Sequence, residues 1–211
     1  MVSETEAAPS PWTGAKAHRG RSRDFPVKRE AVLSAAAALM ARKGYDGMSL
    51  AELAETLNIT KPTLYHYVGN KEALFVEVVA RSQEMMIAFL GEIAEREASG
   101  YEKLRAMMLG YVVRVHSDPG TQLLFTNSSA IGPQTRRDIA VRARHANALI
   151  HAAMEDGRRD GTLAIANPTL ALNALFGSLN WSPNWFRPDG RLGLEEVAAL
   201  QVDLLLNGVR A

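Results

Sequence analysis

Ser49-Leu-Ala-Glu-Leu-Ala-Glu-Thr-Leu-Asn-Ile-Thr-Lys-Pro-Thr-Leu-Tyr-His-Tyr67 is the stretch whose reading decides the fold. Ser49 with Glu52 three residues later forms a capping box, in which the hydroxyl accepts from the Glu52 N–H and the carboxylate reaches back to the Ser49 N–H. Met48 before the cap and Leu53 beyond it can close as a hydrophobic staple. Leu50, Leu53, Ala54 and Leu57 recur at i, i+3, i+4 and i+7, one apolar face of a two-turn helix. Asn58 tolerates the left-handed backbone of a sharp turn, and Ile59 plugs the corner. Thr60 caps a second helix, with Pro62 in a first turn where its missing N–H costs little. Leu64 and Tyr67 or Val68 continue the inward face, and small Ala54 lets the two helices cross closely. Together these features predict a helix-turn-helix, with an ordinary helical hairpin as the alternative.

With Leu64 inward, the second helix turns Lys61, Thr63, Tyr65 and His66 outward, where they can meet phosphates and base edges of a duplex. Asn70 caps the next helix and places the Lys71 cation beside free N–H groups, a phosphate clamp. Thr63-Leu-Tyr-His-Tyr-Val-Gly-Asn-Lys-Glu-Ala-Leu74 resembles the end of the DNA-binding domain of the tetracycline-repressor (TetR) family, T-[LI]-Y-x-[HY]-[FV]-x-x-K-x-x-L, and the likeness runs from about Lys28 to Leu74. The resemblance implies that Tyr65 and Lys71 contact phosphate and that Thr63 and His66 contact backbone or bases. It also implies that Ser49 touches phosphate through its cap. Tyr67 stands where the family has His, Tyr or Phe. Asn58 replaces the family's common Gly or Ala.

Around this motif the 211-residue chain carries a net charge of only +1, but the charge is unevenly spread. Lys16, Arg19, Arg21, Arg23, Lys28 and Arg29 face a single anion, Asp24. Residues 1–23 therefore read as a disordered basic arm, with Arg21 and Arg23 as candidate DNA contacts. Residues 24–70 read as the DNA-binding domain and 71–211 as a ligand-binding and dimerisation domain. With no cysteine, thiolate chemistry and disulfides are excluded. No signal peptide or apolar run of about 20 residues is visible, so a cytoplasmic protein without a membrane partner is expected.

Helical periodicity fills the remainder, with no β alternation, and predicts an all-α chain of about nine helices. The first spans Pro26–Arg42 and ends near Gly44. A long helix from Lys71 to about Glu97 is expected to link the two domains. Further helices run over Tyr101–His116, a short stretch around Gln122–Asn127, Gln134–Asp160, Asn167 to Trp181, and Glu195–Asn207. Arg187-Pro-Asp-Gly190 is a turn.

The last two long helices carry apolar residues almost all round, including Leu172, Leu175, Phe176, Leu179, Leu200 and Leu204, which predicts burial on two sides and a homodimer. Two reading helices about 34–36 Å apart would then fit a palindrome. Met86, Phe89, Met107, Met108, Tyr111 and Phe125 are candidate linings of an effector pocket, alongside their plainer reading as core. Trp181 to Leu192 resembles the W-x-x-x-W-[FY]-x-P-x-G-x-L stretch of TetR-type repressors of lipid, fatty-acid and steroid catabolism, several of which answer to acyl-coenzyme A thioesters. That resemblance adds Trp181 and Trp185 as ligand candidates and an amphipathic effector as the partner. Arg136, Arg137, Arg142 and Arg187 are available to an anionic group.

For an enzyme the chain offers no phosphate-binding glycine loop and no His-Glu-x-x-His. His145 and His151 fall on different helix faces, so neither a metal nor a cofactor is expected. The expected function is a ligand-responsive transcriptional regulator, a repressor on double-stranded DNA. The alternatives are a DNA-binding scaffold without ligand control and a TetR-type regulator of drug efflux.

Overall fold

The structure is a computed structural model that describes residues 25–125, 129 and 131–208. Arg21, Arg23 and the rest of the arm lie outside the described residues, as do Asn127 and the side chain of Phe125. Among the described residues there are nine α-helices, two 3-10 turns and no β-strand. The all-α expectation holds. The helices are α1 (Phe25–Gly47), α2 (Leu50–Thr56), α3 (Lys61–Tyr65), α4 (Lys71–Ala94), α5 (Gly100–Ser117), α6 (Pro119–Gln122), α7 (Pro133–Arg159), α8 (Pro168–Trp181) and α9 (Leu194–Leu206). The chain divides into two compact units, with the boundary inside α4 at Val78.

The first unit packs α1, α2, α3 and the opening of α4. Val32, Leu33, Ala36, Leu39 and Met40 form the buried stripe of α1. That helix breaks at Gly44, whose φ of 75° and ψ of 162° suit a residue without Cβ. Tyr45, just beyond, is buried edge-on against Phe75 of α4 with ring centroids 5.0 Å apart.

In the second unit α5 is the hub, packing on α6, α7, α8 and α9. Leu104, Met107, Met108 and Val112 on α5 are fully buried among Leu90, Ile93, Met154, Leu179 and Val202. Its N-terminus is tied down twice. Ser99 and Glu102 make a reciprocal capping box, with Glu102 Oε2 2.9 Å from Ser99 N. Gly100 N also donates to Asp160 Oδ2 at 2.7 Å and Tyr101 N to Thr162 Oγ1 at 3.2 Å, so the turn after α7 satisfies donors that a helix start leaves open.

Several local expectations change. The Ser49–Glu52 box forms only by half: Ser49 Oγ accepts from Glu52 N at 3.1 Å, but the Glu52 carboxylate pairs with Lys43. Both a backbone N–H and an ammonium make charge-assisted bonds to a carboxylate, and here the ammonium from α1 takes it. The short helix expected near Gln122 starts earlier, at Pro119, because Asp118 accepts from Gly120 N and Thr121 N and caps it there. Met85 of α4 and Val141 of α7 leave large apolar side chains exposed.

Candidate DNA interface and effector cavity

The helix-turn-helix forms as its local chemistry predicts. Asn58 has φ 55°, the positive-φ non-glycine residue at the corner between α2 and α3. Leu53, Ala54 and Leu64 are buried, with Ile59 half-buried at the turn. Thr60 Oγ1 accepts from Thr63 N at 3.3 Å and lies 2.8 Å from Thr63 Oγ1, so both hydroxyls take part in the cap. Thr63 is accordingly half-buried. Ser49, Thr60, Lys61, Tyr65 and His66 are exposed.

α3 itself is short. It ends at Tyr65, and His66 is its C-terminal cap. The His66 ring meets Phe25 edge-on at 5.7 Å and Tyr67 at 5.4 Å, while Tyr67 stacks on Phe25 at 5.0 Å. Phe25 thus shelves the two aromatic residues after α3, a role the sequence reading did not give it. Lys71 is half-buried, its ammonium donating to the Asp46 carbonyl at 3.3 Å and lying 4.7 Å from the centre of the Tyr45 ring. Those two contacts fix the position of this cation next to the α1–α2 corner.

In the second unit a cavity of about 300 Å³ lies between α4, α5, α7 and α8. Its apolar wall includes Met86, Leu90, Ile150, Leu172 and Phe176. Its polar groups are Gln83, Tyr111, Arg142, Asn147, Asn173 and Asn180. The Tyr111 hydroxyl donates to Asn180 Oδ1, its ring meets Phe176 edge-on at 5.0 Å, and burial pushes its pKa well above the usual phenol value. Of the sequence candidates, Met86 and Tyr111 line the cavity. Met107 and Met108 are fully buried core, and Phe89 lies under the Arg114 guanidinium at 3.6 Å, none of them in the lining. Leu172 and Phe176, expected at a dimer interface, are buried within the single chain and line the cavity as well. Arg142, named from the sequence for an anionic group, also lines it; the signal for the missed Ile139, Ala143 and Ala146 was their i, i+4, i+7 spacing on one face of α7, whose small members look solvent-facing in the sequence.

Trp181 and Trp185 are 65% and 46% exposed and lie outside the cavity lining. The residues that follow them turn inward. Ser182 is fully buried, and its hydroxyl donates to the Leu179 carbonyl at 2.7 Å. His116 Nε2 is 2.9 Å from that same Oγ and therefore acts as the donor to it, while Phe186 meets the imidazole edge-on at 4.9 Å. Burial lowers the His116 pKa below its ordinary 6.5. A lowered native value means that the unfolded chain takes up the proton first. The stabilisation is complete above the ordinary histidine value and is lost as pH falls from there through the native value. Thermal melts from about pH 7.5 to about pH 5 should show this loss, and His116→Asn should flatten it. An unchanged slope in that variant would assign the acid sensitivity to other groups.

Leu175 and Leu179 are buried within the single chain, whereas Leu170, Trp181, Leu200 and Leu204 are 66%, 65%, 57% and 74% exposed. Leu170, Ala174, Gly177 and Trp181 recur along one side of α8, and Leu200 and Leu204 along one side of α9, as an exposed apolar face. No described helix is long and apolar enough to cross a membrane.

Two family models match the chain, "Bacterial regulatory proteins, tetR family" over residues 32–78 and "Tetracyclin repressor-like, C-terminal domain" over residues 97–209. The class D tetracycline repressor of Escherichia coli is 40% identical over 70 residues, a match that covers 31% of this chain and only 32% of that protein. The HTH-type transcriptional repressor KstR2 of Mycolicibacterium smegmatis is 21% identical over 188 residues, 86% of this chain and 90% of its own length. The solved structure of AibR in complex with isovaleryl coenzyme A and operator DNA superposes with a TM-score of 0.76 at 26% identity, covering 83% of this chain and 96% of that one. Since the second family model alone takes in more than half of the sequence, the chain belongs to the TetR family of bacterial regulatory proteins.

Proposed function

We propose that this protein is a homodimeric, ligand-responsive transcriptional repressor. Residues 24–70 read a palindromic operator, residues 71–211 bind effector and partner, and the basic arm of residues 1–23 adds phosphate contacts. The observation that carries the reading is the helix-turn-helix with its exposed outward set Ser49, Thr60, Lys61, Tyr65 and His66, beside a Lys71 ammonium anchored on Tyr45 and Asp46. A second copy of the chain covers the apolar face of α8 and α9. Leu170, Trp181, Leu200 and Leu204 are 57–74% exposed in the single chain, so burying each in a dimer stabilises it by about 1–2 kcal/mol, before the cost of association.

The effector occupies the cavity between α4, α5, α7 and α8, and an amphipathic acyl compound suits its apolar wall and polar rim. AibR was crystallised with isovaleryl coenzyme A and operator DNA, so acyl-coenzyme A thioesters head the ligands to try here. Linkage requires that an effector favouring a dimer with misplaced reading helices weaken operator binding by the same factor, typically worth ~1–3 kcal/mol. Selection from random duplexes followed by gel-shift titration tests the function. A symmetric site, bound more weakly when effector is added, is expected. Equal affinity for all duplexes would make the protein a scaffold.

Within the reading surface, Thr63→Ala and His66→Ala should both weaken operator binding and alter the preferred sequence, by about 1–3 kcal/mol of discrimination if a base contact is lost. Repeating the selection with each variant reads this out. If His66→Ala leaves affinity and preference as they were, His66 serves the Phe25–Tyr67 packing and does not read bases.

A further inference from the structure

Four arginines stood open in the sequence as partners for an anionic ligand, and the tertiary structure separates them. Arg137 bonds to Gln134, Arg187 turns to the Phe186 carbonyl, and Arg136 is engaged elsewhere, none of them in the cavity lining. Arg142 lines the cavity, is half-buried, and among the described residues has no ion pair or hydrogen bond. No carboxylate is found among the lining residues, so Arg142 supplies an uncompensated positive charge to a largely apolar space. A cation in such a place gains most from an anion, because the low local dielectric strengthens the pair.

A second group on the same wall makes an independent demand. Gln83 is 4% exposed, and its Nε2 donates to the Ile139 carbonyl at 3.0 Å. That bond fixes the amide so that Oε1 is the other end, and Oε1 is buried with no hydrogen-bond partner. An amide oxygen can only accept, and leaving it unpaired costs on the order of 1–3 kcal/mol. Ile139 and Arg142 are three residues apart on the same face of α7 and Gln83 is itself a lining residue, so the Gln83 amide and the free cation stand on neighbouring parts of the cavity wall. Toward α8, the Tyr111 hydroxyl occupies Asn180 Oδ1 and leaves the Asn180 amide donors for a ligand.

From this arrangement we infer that the effector is an apolar anion whose charged group docks on Arg142. It also carries an N–H or O–H donor for Gln83 Oε1, and its apolar body lies against Met86, Leu90 and Phe176. This deepens the proposed regulator reading and rests on it for the word effector. The anion can be the carboxylate of a free acid or a phosphate of a thioester.

Two fluorescent probes of similar shape test the inference on the full chain. 8-Anilinonaphthalene-1-sulfonate carries an anion and an N–H, and N-phenyl-1-naphthylamine lacks the charge. The wild type should bind the sulfonate about tenfold or more tightly than the neutral dye, and Arg142→Gln should abolish that preference while keeping the neutral dye bound. Retained neutral-dye binding reports an intact cavity in the variant. Displacement of the sulfonate by octanoate or by octanoyl-coenzyme A then tells the free acid from the thioester. Equal binding of the two dyes to the wild type, or an unchanged ratio in Arg142→Gln, overturns the inference. The regulator reading fails separately, if the wild-type chain selects no symmetric duplex.

Discussion

Replacing Gly100 with alanine should cost about 3 kcal/mol and lower the melting temperature by about 6–12 °C. A Cβ at this position would lie 1.9 Å from Gly157 N, 2.3 Å from Gly157 Cα and 2.7 Å from the Ala153 carbonyl oxygen. All three atoms are backbone of α7, so no side-chain rotation relieves the clash and the two helices must move apart. Separation also lengthens the Gly100 N–Asp160 and Tyr101 N–Thr162 hydrogen bonds that hold the start of α5. Gly157→Ala is the informative comparison. Its Cβ would meet Leu163 Cδ1 at 2.4 Å and Cγ at 2.6 Å, atoms of a side chain that can turn, so the cost should be smaller, about 1–2 kcal/mol. Calorimetric melts of the two variants measure both. A Gly100→Ala protein that melts within about 2 °C of the wild type would mean that α5 and α7 are not packed this closely.

Lys71→Ala should weaken operator binding about tenfold to a hundredfold and reduce its dependence on salt. Each phosphate neutralised contributes about 0.9 to the slope of log K against log salt, so a dimer losing two such contacts should show a slope shallower by about 1.8. The ammonium is already positioned by the Asp46 carbonyl and the Tyr45 ring, so little ordering cost remains when it meets a phosphate. The loss should be the same on preferred and unrelated duplexes, since a phosphate contact carries no sequence information. Lys71→Arg keeps the charge and should keep most of the slope. Gel shifts over a salt series provide the test. A slope unchanged in Lys71→Ala would limit this lysine to supporting Tyr45.

The helix-turn-helix unit was legible in the sequence because its determinants are local. Caps at Ser49 and Thr60, the left-handed Asn58 and the buried Leu53, Ala54 and Leu64 all act within a few residues along the chain. Even there one detail required the folded chain: the Glu52 carboxylate goes to Lys43, nine residues back, on a different helix.

In the second unit the sequence determined the helices, their ends and the apolar character of their faces, since periodicity and turn residues report these directly. It could not assign apolar residues to core, cavity wall or exposed face, because all three are built from the same side chains. Met107 and Met86 look alike in sequence, yet one is core and the other lines the cavity. Leu172 and Leu170 are two positions apart on α8, but one faces the cavity and the other solvent. Likewise only the packing of α7 against α4 and α8 singles out Arg142 from its neighbours and leaves Gln83 Oε1 without a partner. Local chemistry writes helices and turns into the chain; which face of a helix meets a void, a neighbour or water depends on residues distant in sequence.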